Sequence, residues 1–416
     1  MVNLTVDAKK LINILLFVII FISSIQEFLY SYNAAWSFLF AAVPFFLVIS
    51  LFSLVFVKNK SKINTLQIVF FIFFIGYSVI SALWSNYDFY DIFSRLNSFI
   101  QSFLLLVLCE ACLNNVTYKK LINFFYFAQI INVFLIGYEK VILNMNPDFC
   151  NGIFGFTGYS NGTTGIFSLA LSLLAVVYFM SHIWSFTRSF LIIICSSMVC
   201  AFAEIKIYYV LFLVGIVIIL MLQKKTINQF LKSILILFAI VLAFFLAYQI
   251  LLAYFPYNLN SFFSVNNYIR YDERSDYAGR LNTIPFIYNN LFINNIFTSF
   301  FGTGLGSNSS NYIYELGKIF SDLGFIGIIA FAFTLLTPAI QVWRSKERNA
   351  EQLFVAVFSI IVGIGIVVWN IPFVRAANII VFFFLSIENR KWKTKYKVSI
   401  GEKTNGTQSL SNSSSL

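Results

Sequence analysis

Long apolar runs make up most of the chain, and short turns carrying charged residues separate them. A helix that crosses the hydrocarbon core of a bilayer needs about 20 such residues. Runs of this kind occupy 11–30, 34–57, 63–84, 93–113, 121–142, 164–181, 188–204, 207–223, 230–254, 320–343, 352–370 and 373–388. The pattern predicts an all-α polytopic membrane protein with about twelve transmembrane helices. The twelfth run is the least regular, because it begins beside Pro372 and carries Arg375. One stretch breaks the rhythm. Residues 255–319 form a large external loop between the ninth and tenth runs, and a loop of that length in a compact protein is usually functional. Its apolar positions Phe262, Phe263, Ile284, Phe286, Ile287, Leu291, Phe292, Ile293, Ile296 and Phe297 predict short amphipathic helices lying on the membrane face. The organisation expected is therefore 1–254 for helices one to nine, 255–319 for the loop and 320–388 for helices ten to twelve. Residues 389–416 form a basic, Ser/Asn-rich tail, expected to be partly disordered. The first run is long and no small-residue cleavage site follows it, so a cleavable signal peptide is not expected.

Composition narrows the class. The chain is 59% hydrophobic and only 11% charged, against about 25% charged in an ordinary soluble domain. Too few charges are present to cover a water-facing surface of this size, which excludes a soluble enzyme.

Charge then sets an orientation. The net charge is +11, from 28 Lys plus Arg against 17 Asp plus Glu. With the N-terminus in the cytoplasm, cations fall in every cytoplasmic turn: Lys9 and Lys10, Lys58 to Lys62, Lys119 and Lys120, Arg188, Lys224 to Lys232, Arg344 to Arg348, and Arg390 to Lys403. The outer side keeps Arg95, Lys140, Lys206, Arg270, Arg274, Arg280, Lys318 and Arg375. This bias is the positive-inside pattern, and it predicts both termini in the cytoplasm. The basic excess thus anchors a membrane face and implies no nucleic-acid partner.

The outward cations oppose that bias, so a partner should compensate them. Arg270, Arg274 and Arg280 lie in one stretch of the external loop, with Arg270 and Arg274 at helical i, i+4 spacing. Guanidinium forks bind phosphate oxygens in bidentate fashion. At an outer membrane face that phosphate would belong to a lipid headgroup or a lipid pyrophosphate. The plainer reading is local pairing with Asp272, Glu273 and Asp276. Lys206, at the outer turn between the seventh and eighth runs, could hold an anion, or pair with Glu204. Gly302-Thr-Gly304-Leu-Gly306 lacks the Lys and the preceding strand of a nucleotide-binding loop; it predicts a tight turn over a substrate channel. Glu315 and Asp322 precede or open the tenth run, and either could act as a general base; Asp322 could also be a simple helix-capping acid. Glu110 is expected to snorkel at the cytoplasmic end of the fourth run. The five Cys support neither a disulfide framework nor a zinc site. The single His, His182, lies in a cytoplasmic turn, which removes most histidine chemistry.

Three stretches together resemble the O-antigen polymerase and ligase superfamily, the Wzy-type polymerases and related lipid-linked glycan ligases. They are Gly152-Ile-Phe-Gly155 leading to Asn161; Gly279-Arg280 followed by Phe301-Gly-Thr-Gly304-Leu-Gly306; and Asp322-Leu-Gly324-Phe-Ile-Gly327. The resemblance implies a glycosyltransferase that needs no metal, cofactor or nucleotide sugar. It implies a bacterial inner-membrane enzyme that polymerises undecaprenyl-pyrophosphate-linked oligosaccharide repeats at the outer face, into O-antigen, capsule or exopolysaccharide. Membrane lipids and a chain-length regulator protein are the further partners it implies. By the same resemblance Arg280 and Lys206 hold the pyrophosphate, helped by Arg270, Arg274, Asn161, Gly304 and Gly306. Glu315, Asp322 and Asp276 are the candidate bases. The ligase branch carries a His followed by Asn, Ser or Gln eleven residues before the first Gly of its G-x-x-G. Here that position is Ile313, followed by Tyr314, which favours a polymerase. The alternatives are a ligase of the same superfamily, or a lipid-linked-oligosaccharide flippase or other transporter. No internal repeat of the kind transporters are built from is evident.

Overall fold

Eleven of the twelve predicted runs emerge as helices in the computed structural model. It describes residues 4–58, 60–61, 63–146, 149–156, 160–222, 283–293, 295–306, 315–345, 348–369 and 375–390. In chain order the helices are α1 (Leu4–Tyr32), α2 (Phe38–Leu54), α3 (Thr65–Ser81), α4 (Phe89–Cys112), α5 (Asn115–Gly137), α6 (Ser160–Met180), α7 (Phe186–Phe202) and α8 (Lys206–Leu222). After them come the short α9 (Thr283–Ile287) and α10 (Ile296–Phe301), then α11 (Glu315–Arg344), α12 (Ala350–Val368) and α13 (Arg375–Leu385). No strand occurs among the described residues. Among the described residues, eight helices are long and apolar enough to cross a membrane, and three shorter apolar ones accompany them. The chain is an all-α membrane protein. The ninth predicted run, 230–254, lies outside the described residues.

Polar residues in the turns start several of these helices. Asn64 caps α3 through the Gln67 amide, Asn114 caps α5 through the Thr117 amide, and Ser185 caps α7 through the Arg188 amide. Asn349 and Gln352 form a reciprocal capping box at α12. Each such cap satisfies backbone N–H groups that a helix end leaves unpaired.

In lipid the packing of helices gains little from apolar burial, so close contact and hydrogen bonds decide it. α6 is the central helix, with 83% of its most apolar window buried. It packs on α7, α8, α12 and α13. Small residues allow this: a Cβ on Gly165 would stand 2.2 Å from the Trp369 ring, and one on Gly215 would stand 2.4 Å from Leu173. Phe125 binds the centre together, with rings of Phe167, Phe383 and Phe384 around it. α2 is peripheral, with 22% of its window buried. Phe45 and Phe52 there face outward, as lipid-facing side chains should.

Two expectations change, at the start of α11 and at Glu110, and one is met in part. α11 begins at Glu315, not near 320, so both candidate acids lie within the helix, ahead of a bend at Gly324. The predicted amphipathic segments are found at α9 and α10, with a single π turn at Tyr288–Phe292. Ile287 and Phe292 pack against Phe320 of α11, while Ile284, Ile293, Ile296 and Phe297 stay exposed. Phe262 and Phe263 lie outside the described residues. Glu110 does not snorkel. It is 2% exposed, and its carboxylate accepts the Asn64 backbone N–H at 2.7 Å. A partner within the bundle replaces the water it would otherwise have needed.

Candidate active site

The N-terminal ends of α4 and α11 build a polar site in an apolar surround. Arg95 lies two turns into α4, with the Phe99 ring one turn further on and 5.4 Å from its guanidinium carbon. Glu315 and Asp322 stand seven residues apart on α11, two turns on one helix face. Arg95 Nη1 donates to Glu315 Oε1, and Arg95 Nε is 3.7 Å from Asp322 Oδ2. The side chains of Arg95, Glu315 and Asp322 are 13%, 3% and 1% exposed. Charges at this depth are costly unless they meet one another.

The glycine-rich turn explains how the acids are held. Backbone N–H groups of Thr303 and Gly304 donate to the carbonyls of Ser321 and Asp322 at 2.8 and 3.1 Å. The Gly306 N–H donates to Asp322 Oδ2 at 3.4 Å. These bonds satisfy carbonyls that the bend at Gly324 takes out of the helix ladder. The approach requires glycine. Gly324 has φ 60° and ψ −159°, a combination essentially confined to glycine. A Cβ there would stand 2.5 Å from the Phe300 carbonyl oxygen, and one on Gly302 would stand 2.2 Å from that of Asp322. On its other side the turn rests on the segment between α3 and α4. Ser85 Oγ donates to the Leu305 carbonyl at 2.7 Å, and Tyr77 OH to that of Phe301 at 2.8 Å.

One guanidinium against two carboxylates leaves the group with a formal charge of −1. Arg95 Nη2 is buried without a hydrogen-bond partner among the described residues. Such a group can accept a proton from a hydroxyl and orient a second oxygen with the guanidinium. It is poorly suited to hold a pyrophosphate by itself. Asp322 is thus neither a helix cap nor a first-turn acid; it is an ion-paired carboxylate beside a helix bend.

The predicted residues fall into separate groups. Glu315, Asp322, Gly304 and Gly306 come together. Arg95, known from the sequence only as one of the outward cations, joins them. Its signal was a lone cation inside the outer turns of an apolar helix. Lys206 and Asn161 are carried by other elements, the N-terminal turns of α8 and α6. These two helices pack on each other and on α12. Beside Lys206, Glu204 takes a left-handed φ of 53° and pairs with Lys140 at 3.6 Å. Arg270, Arg274, Asp276 and Arg280 lie outside the described residues. Among the described residues, no group of three His, Cys, Asp or Glu comes together to hold a metal ion. Compared with known proteins, the chain matches no family model and no curated sequence.

Proposed function

We propose that the chain is a glycosyltransferase that polymerises undecaprenyl-pyrophosphate-linked repeat units at the outer face of the bacterial inner membrane. In this reading twelve helices cross the membrane and both termini are cytoplasmic. The observation that carries it is the buried Arg95–Glu315–Asp322 group under the glycine turn. Its Asp322 and the glycine turn over it belong to two of the stretches on which the resemblance to the polymerases rests. The acceptor hydroxyl of a new repeat attacks the anomeric carbon of the donor glycan. The bond from that carbon to the pyrophosphate oxygen breaks, and the lipid pyrophosphate leaves with the electron pair. The hydroxyl proton passes to a carboxylate of the group, Asp322 or Glu315. Arg270, Arg274, Arg280 and Lys206 supply the positive charge that the leaving pyrophosphate needs.

A reconstituted assay tests this, using purified protein, lipid-linked repeat units, and neither metal nor nucleotide. The wild-type protein is expected to release polymer. Arg95→Ala and Asp322→Asn are expected to leave single repeats on the carrier. Unchanged polymer ladders from both variants would overturn the proposal. Transfer of finished glycan to a lipid A core acceptor would indicate the ligase instead. Movement of repeats across the membrane without lengthening would indicate a transporter.

A further inference from the structure

The segment between α5 and α6 turns back into the protein. Cys150 and Asn151 are fully buried, and Ile153 and Phe154 are 7% and 1% exposed. Irregular backbone at such a place requires protein partners for its polar groups. Asn132 of α5 and Glu139, in the π turn Tyr138–Ile142 that follows it, supply them. Asn132 Oδ1 accepts the Ile153 N–H at 3.0 Å, and Glu139 Oε2 accepts the Gly152 N–H at 3.0 Å. Thr164 of α6 donates to the Asn151 carbonyl at 3.2 Å, and Ser31 of α1 accepts the Phe156 N–H at 3.0 Å. Gly152 has φ 56°, and a Cβ there would stand 1.8 Å from Asn132 Oδ1.

Glu139 is the anomaly. It is 1% exposed, and its second oxygen, Oε1, has no hydrogen-bond partner among the described residues. The cation nearest in sequence, Lys140, pairs with Glu204. Among the described residues, the ionisable groups around Glu139 are Tyr32 on α1, Cys150 on the segment itself, Tyr138 and Lys140 beside it, and Glu204 at the α7–α8 turn. Lys140 is the only cation in that set. A buried carboxylate that lacks a cation and a full set of donors is costly when ionised.

We propose that Glu139 is a proton-operated latch: protonated, it holds residues 149–156 docked between α1, α5 and α6, and ionised, it releases them. The sign follows from linkage. Undocking brings water to the carboxylate, which stabilises its ionised form and does little for the protonated one. Docking is therefore strongest in acid and weakens as the pH rises. The segment leads directly into α6, so release would free the turn that carries Asn161. The latch does not depend on the glycosyl-transfer reading.

Cys150 is a built-in reporter. Burial pushes its thiol up to about 11, and its side chain is inaccessible while the segment is docked. The test uses full-length protein in lipid nanodiscs with Cys109, Cys112, Cys195 and Cys200 replaced by Ala. Maleimide labelling of Cys150 is followed from mildly acidic to mildly alkaline pH. Each rate is divided by that of the denatured protein at the same pH, which removes the thiolate chemistry. The normalised rate should rise with pH, by at most about tenfold per pH unit for a single proton. In Glu139→Gln, which keeps the hydrogen-bonding shape without the charge, it should be flat. Identical profiles in the two proteins, or no rise in the first, would overturn the latch. Hydrogen exchange over 149–156 in the unmodified chain gives a second reading that needs no variant. Protection corrected for intrinsic exchange should fall as pH rises, and constant protection would also sink the idea.

Discussion

Arg95 shows how much one side chain can ask of its neighbours inside a membrane. Its two acids are paired with it, so removing it alone leaves two buried carboxylates uncompensated. Arg95→Met is expected to cost about 3–5 kcal/mol, as for other broken buried ion pairs. A chemical unfolding titration in detergent measures this. Adding Glu315→Gln to that variant should restore part of the loss, because the two sites share one interaction. Gly324 is the second critical residue. Gly324→Ala meets both a forbidden backbone conformation and the Phe300 carbonyl, and should cost about 1–3 kcal/mol or more. Its thermal midpoint should fall, and glycan transfer with it, because the Gly306 N–H would lose Asp322. At this scale the sequence was only partly legible. Glu315, Asp322 and the glycines stood out because acids and glycines are conspicuous before an apolar run. Their partner did not, since nothing in the spacing ties position 95 to positions 315 and 322, more than 200 residues away.

Among elements, hydrogen bonds between helices carry unequal weight. Gln129 of α5 donates to Ser168 of α6 and Ser196 of α7 at 2.9 and 3.2 Å. Bonds of this kind inside membrane proteins average about 0.6 kcal/mol. Gln129→Leu is therefore expected to shift the unfolding midpoint only slightly. The end of α4 is different. Arg390 donates to the carbonyls of Cys109 and Glu110 at 2.8 and 2.6 Å, and also to that of Leu113. These are carbonyls that a helix C-terminus leaves open, and the positive charge suits that end of the helix dipole. Arg390→Ala should lower stability by about 1.5–3 kcal/mol for the charged hydrogen bonds alone. Among the described residues helix existence was legible, because length and apolarity mark a membrane span. The start of α11 was not. The residues before 320 are polar enough to read as loop, and they are helical because Glu315 meets Arg95 and the glycine turn covers the bend.

For the whole molecule, orientation rests on where the cations fall, and impermeant thiol labelling of intact cells checks it. All five native cysteines are buried, so the background is low. Leu83→Cys, at an exposed position 86% accessible, should label from outside. Thr187→Cys, in the exposed turn opening α7, should label only after the membrane is permeabilised. The reverse pattern would invert the topology. The clamp at Arg390 also has a consequence for the order in which the bundle assembles. α4 enters the membrane early in synthesis, yet the side chain that closes its inner end is 280 residues further along the chain. Until residue 390 leaves the ribosome, the end of α4 must rely on water or headgroups. A nascent chain arrested just before that residue should therefore hold α4 loosely, with Cys109 and Cys112 open to alkylation. Release a few residues later should seal both thiols in a single step.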